Sequence, residues 1–176
     1  MAGHNKWTQI KRQKAVSDSK KSKVFSKYSK IITLAAKNGD NPAMNPELRS
    51  AIEKAKKENM PNENIERAIA KGSGAGGMNL ENARYEAYGP GGSAIIIDVI
   101  TDNKNRAVAE IKKVLTEHGA KLAEQGSVLW AFDISPQKVS PKIILEISES
   151  DKESNISLVD DLNNLDDTQE VYTNIK

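Results

Sequence analysis

A short glycine-rich run divides this chain into two parts with different hydrophobic periodicity. Residues 72–77 read Gly-Ser-Gly-Ala-Gly-Gly, a composition that is costly to order. Before the run, apolar residues recur every three or four positions, as on helices; after it, several segments alternate, as strands do. The run therefore predicts a linker between a domain at 1–77 and a domain at 78–176. A phosphate-binding loop is disfavoured, because neither a Gly-Lys-Ser/Thr sequence nor a preceding strand accompanies the glycines.

The first domain is predicted to be a bundle of three amphipathic helices. Polar residues such as Asn and Ser cap helix N-termini, proline fits the first helical turn, and glycine ends a helix by accepting a left-handed conformation. The apolar positions between these signals repeat at helical spacing. The predicted helices run from Ser17 or Asp18 to about Ala36, from Asn45-Pro46 to near Asn59, and from Pro61 to Gly72.

The second domain is predicted to be ferredoxin-like, which makes the whole chain α+β with an N-terminal helical bundle. Residues 83–88 and 94–100 alternate on either side of a Gly-Pro-Gly-Gly turn, which predicts a pair of strands. From Ala94 onward the predicted order is β-α-β-β-α-β, the split βαβ motif. Its elements are strand 94–100, a helix capped by Asp102 or Asn103, strands 128–132 and 143–147, a helix with a Ser150 and Glu153 capping box, and strand 169–173. Strand Ser127–Phe132 is expected to pair antiparallel with Ile143–Ser148 through a hairpin loop at 133–142.

The first 37 residues are strongly basic, and they give the main indication of function. They contain ten Lys or Arg residues and one acidic residue, Asp18. Charge so one-sided is the electrostatic footprint of nucleic-acid binding, and a ring such as Trp7 or Tyr28 among cations can stack on an unpaired base. The alternatives are a solvated basic arm, and a Trp7 that packs against the bundle. The predicted nucleic-acid-binding residues are Lys6, Trp7, Lys11, Arg12, Lys14, Lys20, Lys21, Lys23, Lys27 and Lys30.

The rest of the chain has the opposite charge balance. Residues 1–72 carry a net charge of +9, whereas residues 73–176 carry −7. Phosphate would be repelled by the acidic part, so nucleic-acid contacts are expected in the first domain alone. An acidic domain could equally attract a basic protein, and a protein-interaction module acting through the second domain is therefore the alternative function.

A polar cluster follows the second predicted strand. Asp102 or Asn103 is explained as a helix cap. Lys104 and Arg106 are not, because positive charge in a first helical turn opposes the helix dipole. Lys104, Asn105 and Arg106 are therefore a candidate surface for a partner or for phosphate, against the equal alternative of incidental exposed polarity.

The sequence offers no chemistry for catalysis or metal binding. It contains no cysteine and two histidines, His4 and His118, neither of which has metal-ligand neighbours at suitable spacing. No nucleophile motif is present, and paired aspartates near the C-terminus are typical of exposed helix ends. We expect no enzymatic activity, no cofactor, no metal, no small-molecule substrate and no membrane segment. The cytoplasm is the expected location, with mitochondrial import as a minor alternative.

The motifs collected along the chain resemble the YebC/PmpR family of probable transcriptional regulators, whose mitochondrial relatives are described as translational activators of cytochrome c oxidase. No single motif is decisive, but their order from Gly3 to Phe132 is. The clearest are Gly3-His4-Asn5-Lys6-Trp7, Asn59-Met60-Pro61, Tyr85-Glu86 with Tyr88-Gly89-Pro90-Gly91-Gly92, Thr101-Asp102-Asn103 with Asn105-Arg106, and Gly126-Ser127-Val128.

The resemblance implies a helical first domain, an α/β second domain, a cytoplasmic location and no catalysis. It also implies binding to DNA or, during translation, to ribosomal RNA and the ribosome. Two departures stand out. Family members usually carry a third domain between the strands near Phe132 and Ile143, where this chain has only residues 133–142. In addition, Ala87 and Ala107 stand where Gly and Thr are usual.

Overall fold

The computed structural model of the protein describes residues 3–74, 79–136 and 138–176, with side chains from residue 14 onward. The chain forms two compact units, Met1–Met78 and Asn79–Lys176. The helices are α1 Gly3–Ala36, α2 Pro46–Lys57, α3 Asn62–Ser73, α4 Lys104–Glu117 and α5 Glu149–Asn163. The strands are β1 Glu81–Tyr88, β2 Ala94–Thr101, β3 Lys121–Ala123, β4 Phe132–Ile134, β5 Val139–Pro141 and β6 Thr168–Thr173. Short 3₁₀ turns lie at Pro90–Gly92 and Leu129–Ala131.

Helix α1 begins much earlier than the sequence predicted. It starts at Gly3 and continues without a break to Ala36, so the predicted start at Ser17 or Asp18 was wrong. Residues 4–36 contain neither proline nor glycine, and Ser or Asp inside a helix costs only a fraction of a kcal/mol. The basic segment is therefore one long helix, not an arm leading into a shorter one.

The first unit has a core of small and medium apolar side chains from its three helices. Apolar side chains of all three helices meet there. Thr33 on α1 donates its hydroxyl to the Ala68 carbonyl on α3 at 3.0 Å. The buried members are Ile32, Ala35, Ala36, Leu48, Ala51, Ala55, Met60, Ile65 and Ala68.

The junction between α1 and α2 is held by one buried side chain. Asn45 caps α2 by accepting from the Leu48 amide at 3.0 Å, as predicted. The same side chain donates to the carbonyls of Ala35 and Gly39, each at 2.8 Å. An N-cap that also satisfies carbonyls at the end of the preceding helix fixes how the two helices join.

Gly72 allows α1 and α3 to approach closely. It was predicted to end α3, but the helix continues to Ser73, with Pro61 as its N-cap residue. A Cβ at position 72 would overlap the Thr33 carbonyl and come within 2.8 Å of the Ala36 Cβ. Gly72 is therefore a packing residue inside the helix.

The second unit is built on a four-stranded sheet in which every neighbouring pair is antiparallel, in the order β3-β1-β2-β6. The predicted hairpin of β1 and β2 is confirmed. Alternate residues of β2, Ile95, Ile97 and Val99, pack with α4 and α5 in the larger core. Helices on one face of an antiparallel sheet confirm the α+β class.

The opposite face of the sheet is covered by a smaller cluster. Ala94 and Ile96 of β2 pack there against Val128, Ala131 and Phe132. These last three residues come from the 3₁₀ turn and the start of β4, which pairs with β5. Strand β2 is therefore buried on both faces.

The order of elements differs from the predicted β-α-β-β-α-β. The sheet takes in β1 and the short strand β3, whereas the predicted strand 128–132 is mostly a 3₁₀ turn. One such turn places Val128 and Ala131 on the same side, which buries both without a strand. The predicted strand 143–147 is not a strand, since its residues form only a single isolated parallel bridge, between Leu145 and Ile175.

The predicted hairpin across residues 133–142 exists, but its strands were misplaced. Residues 132–134 pair antiparallel with residues 139–141, instead of Ser127–Phe132 with Ile143–Ser148. The paired residues therefore lie inside the segment 132–141, most of which was predicted to be the loop of the hairpin. The Ile143 amide instead donates to the Ala131 carbonyl at 3.2 Å.

Helix α5 begins two residues earlier than predicted and buries a polar residue, Asn155. Its N-cap is Ser148, which accepts from the Asp151 amide at 3.1 Å, so the predicted Ser150 cap was wrong. Ile156 is 54% exposed, whereas Asn155 is fully buried. Asn155 donates to the Pro90 carbonyl at 2.9 Å and approaches the Ser93 hydroxyl at 2.6 Å. A polar residue of α5 is thus buried as the anchor of the β1–β2 turn.

Glu86 holds the loop that precedes β4. Glu86 lies on β1 and is 4% exposed. Its carboxylate accepts hydrogen bonds from the Gly126 amide at 2.7 Å and from the Val128 amide at 2.8 Å. Charged acceptors on buried amides are among the stronger hydrogen bonds in proteins. The clamp thus fixes Val128 over the sheet.

We expect Glu86→Ala to lower the free energy of unfolding by roughly 1–3 kcal/mol for each amide left without an acceptor. Thermal and urea unfolding followed by circular dichroism measures the loss. The matched control is Glu170→Ala, since Glu170 is an exposed glutamate on β6 of the same sheet. Equal stability of the two variants would contradict a clamping role for Glu86.

Candidate nucleic-acid interface

The predicted nucleic-acid-binding residues all lie on helix α1. Four occupy its N-terminal turns, where only the backbone is described: Lys6, Trp7, Lys11 and Arg12. Four more are exposed: Lys14, Lys20, Lys21 and Lys23. The last two, Lys27 and Lys30, are half-buried. The helix thus gathers all ten into one element.

Packing along α1 changes abruptly near its middle. Every residue from Lys14 to Lys23 is exposed, whereas side chains from Val24 onward are half-buried or buried, apart from Ser26. Lysine is very seldom buried without a partner, so a segment this rich in lysine cannot supply a core face. The segment from Lys14 to Lys23 is consequently left to solvent within its unit.

Four lysines form a stripe along one side of the helix. Lys20, Lys23, Lys27 and Lys30 follow i, i+3, i+7, i+10 spacing, which returns to nearly the same direction at 3.6 residues per turn. At a rise of about 1.5 Å per residue the stripe spans about 15 Å. Such a row of ammonium groups is suited to following a phosphate backbone. The sequence prediction counted these lysines but did not recognise their common side.

Tyr28 shares its environment with a second aromatic residue of α1, Phe25. The Tyr28 ring is half-buried and packs against the core of the first unit. Among the residues whose side chains are described, the stacking role predicted for an aromatic of α1 therefore has another candidate, Phe25, which is also half-buried.

The cluster Lys104, Asn105 and Arg106 lies in the first turn of α4, and two of its cations have partners within the protein. Lys104 contacts Glu81 at 2.7 Å. Arg106 contacts Asp102 at 2.6 Å and Asp167 at 2.8 Å. Hydrogen bonds to Asp167 and Asp102 raise the pKa of Arg106 above its ordinary value. These ion pairs within the protein thus explain why two cations stand in a helical turn where the helix dipole disfavours positive charge.

The paired aspartates near the C-terminus, Asp167 among them, were assigned from the sequence to exposed helix ends. Asp167 is 5% exposed, and it accepts from the Thr101 hydroxyl at 2.7 Å as well as from Arg106. It therefore connects the end of β2, the start of α4 and the turn before β6. The sequence feature that could have indicated its role is its position, because Asp167, unlike Asp166, directly precedes strand β6.

The described residues offer no other site chemistry. Within the ranges the structure describes, no group of three or more His, Cys, Asp or Glu side chains could hold a metal ion. His118, the C-cap residue of α4, contacts Asp161 on α5 at 2.7 Å, which gives it a structural partner. None of the described helices is both long and apolar enough to cross a membrane.

Comparison with known proteins places both units in one family. A family model described as "TACO1/YebC protein N-terminal domain" matches residues 5–75, and one described as "TACO1/YebC second and third domain" matches residues 80–137. A "Probable transcriptional regulatory protein" of Dictyoglomus turgidum is 49% identical over 182 aligned positions, covering 98% of this chain and 71% of the relative. The chain belongs to the TACO1/YebC family. The resemblance noted in the sequence is confirmed.

Other TACO1/YebC relatives agree, and several are longer. A probable transcriptional regulatory protein of Dictyoglomus thermophilum is 56% identical over 135 residues, which are 76% of this chain but 54% of the relative. One from Desulfosudis oleivorans is 45% identical and matches 100% of this chain and 72% of its own length. This chain therefore spans about half to three quarters of the length of these relatives. A crystal structure of a conserved hypothetical protein from Aquifex aeolicus superposes with a TM-score of 0.83 at 31% identity, covering 90% of this chain and 91% of that one.

We expect Asp167→Ala to destabilise the second unit, because the buried Thr101 hydroxyl loses its carboxylate acceptor at a cost of roughly 1–3 kcal/mol. Urea unfolding measures the change. Asp160→Ala removes an exposed aspartate from α5 and serves as the control. If Arg106→Ala and Asp167→Ala were fully additive in the double variant, the two side chains would not be coupled as the geometry indicates.

Proposed function

We propose that this protein is a non-enzymatic regulatory protein that binds nucleic acid through the lysines of helix α1. The observation that carries the proposal is the exposed segment Lys14 to Lys23, in which four lysines stand beside a single acid, Asp18. The names of the relatives support a regulatory role, since they are called probable transcriptional regulatory proteins.

The proposed mechanism is electrostatic contact with the phosphate backbone. Lysines that approach phosphates release condensed counterions, which gives affinity without reading sequence. The lysine stripe defined by Lys20, Lys23, Lys27 and Lys30 supplies a row of such contacts, and the acidic second unit keeps contacts confined to the first. DNA and ribosomal RNA, including RNA on the ribosome, both meet this description. We place the activity in the cytoplasm, and the absence of cysteine is compatible with its reducing conditions.

The second candidate is a protein-interaction module in the second unit. It is favoured by the acidic charge of this half and by apolar side chains exposed around the β4–β5 hairpin. Exposed apolar groups rimmed by polar residues are typical of protein-binding surfaces. These side chains are Leu129, Trp130, Ile134, Ile143 and Ile144, which are 36%, 53%, 43%, 47% and 54% exposed.

We also propose that the β4–β5 hairpin stands where longer relatives carry a third domain. The family model named for the second and third domains matches only to residue 137, and the relatives exceed this chain in length. In this chain the hairpin would directly connect the two segments that the third domain separates in the relatives.

We expect Lys14→Ala, Lys20→Ala and Lys21→Ala together to weaken binding to both duplex DNA and structured RNA. Each phosphate contact removed should lower the slope of log affinity against log salt by about 0.9 for duplex DNA. Fluorescence anisotropy of labelled nucleic acid at several salt concentrations gives both quantities.

The matched control removes three exposed lysines from the second unit, Lys112, Lys113 and Lys121. It changes net charge equally, so it separates a local interface from general charge. If both triple variants lost affinity to the same extent, or neither did, binding through α1 would be refuted. Binding of a basic protein that survives the α1 substitutions would favour the interaction module instead.

A further inference from the structure

An open groove runs between helix α1 and the C-terminal end of α2. Its volume is about 590 Å³, and most of its lining surface is apolar. This volume falls within the roughly 300–1,000 Å³ typical of ligand sites. The lining residues are Val16, Ser17, Lys20, Lys21, Val24, Phe25 and Glu58.

The lining of the groove combines apolar, cationic and acidic side chains. Val16, Val24 and Phe25 supply its apolar side chains, and Phe25 also packs against the core of the unit, which holds its ring in place. Lys20 and Lys21 are exposed cations within the same lining. The carboxylate of Glu58, at the C-cap of α2, adds the one acidic group of the lining.

Charge decides which occupant fits. A purely apolar peptide would cover two ammonium groups without pairing them, which is unfavourable. A nucleotide satisfies the whole lining, because its phosphates can meet the lysines while its base stacks on an aromatic ring. The Glu58 carboxylate can accept from an exocyclic amine of the base, as carboxylates do from cytosine N4.

We propose that this groove is a site for one unpaired nucleotide of a single-stranded nucleic acid, with its base against Phe25 and its phosphates at Lys20 and Lys21. Glu58 favours bases that carry an exocyclic amine, namely adenine, cytosine and guanine, over thymine or uracil. The inference rests on the proposed function and makes it specific, since phosphate contacts alone would not distinguish paired from unpaired bases.

The first test compares single-stranded oligonucleotides with duplexes of equal length by fluorescence anisotropy. Phe25→Leu keeps apolar bulk but removes the ring, and it should weaken single-strand binding at least about fivefold, the lower end for loss of base stacking. Duplex binding should stay unchanged. Thermal unfolding verifies that the variant remains folded.

The second test places a negative charge in the groove without touching the core. Val16 is 56% exposed, so Val16→Asp should leave the fold intact and reduce single-strand binding. Its matched control is Ser22→Asp, an exposed position of α1 outside the groove lining. Unequal effects identify the groove, because both variants add the same charge to the same helix.

The third test addresses the base. Glu58→Gln should reduce the preference for oligo(dA) and oligo(dC) over oligo(dT), whereas Glu53→Gln, an exposed glutamate of α2 outside the groove, should raise all three affinities alike. If the two substitutions act identically, Glu58 contributes only charge and the assigned base contact is wrong.

The outcomes distinguish failure of the nucleotide site from failure of the proposed nucleic-acid-binding function. If the wild-type protein binds no probe in a salt-dependent way, both proposals fail. If it binds but Phe25→Leu and Val16→Asp behave as their controls do, only the nucleotide site fails. A change in sedimentation of the free protein on Val16→Asp would identify a second copy of the chain as the occupant and overturn the nucleotide site.

Discussion

Burial of strand β2 on both faces is the constraint around which the second unit is arranged. Ile95, Ile97 and Val99 need cover on one side of the sheet, and Ala94 and Ile96 need it on the other. Helices α4 and α5 provide the first cover, while the 3₁₀ turn and the β4–β5 hairpin provide the second. Both covers are fastened by buried polar side chains, since apolar contact is not directional and does not by itself position a loop.

The polar fasteners account for several family motifs in physical terms. The Glu86 carboxylate holds the amides of Gly126 and Val128. Asn155 holds the turn between β1 and β2, where a Cβ on Gly89 would lie 2.5 Å from the Ser93 hydroxyl. Thr101, Asn103 and Arg106 join the start of α4 to Asp167. Much of the polar sequence pattern in this half thus serves the fold, which directs the search for a binding surface to the first unit.

The sequence predicted what depends on local periodicity and on capping residues. The stripes of α2 and α3, the Asn45 cap and the β1–β2 hairpin follow from side-chain spacing and turn chemistry that act over a few residues. Tertiary contacts decided the remainder. Val128 to Phe132 alternates like a strand but is held as a turn by Glu86, and α5 buries Asn155 because of a partner far along the chain. Such choices depend on residues 42 and 65 positions away, which spacing alone does not reveal.

The residues predicted to bind nucleic acid all lie on α1, but the geometry of this helix could not be predicted from the sequence. Ten cations in the segment are visible in the sequence, but Ser17 and Asp18 resembled a helix start and concealed the continuity of the helix. The groove beside α2 also required the structure, because Glu58 is distant in sequence from Val16 and Phe25.

The continuity of α1 would couple the proposed binding of nucleic acid to helix formation. From Lys14 to Lys23 the helix has no buried face, and helical segments without tertiary support are marginal in water. Like charges three or four residues apart, as in Lys20 and Lys23, oppose the helix further. A polyanion lying along this segment would cancel that repulsion, so binding and coil-to-helix equilibrium must shift together. The helical content of this stretch should therefore rise with ionic strength even before any ligand is added, so salt would preorganise the helix while it screens the attraction on which the proposed binding depends.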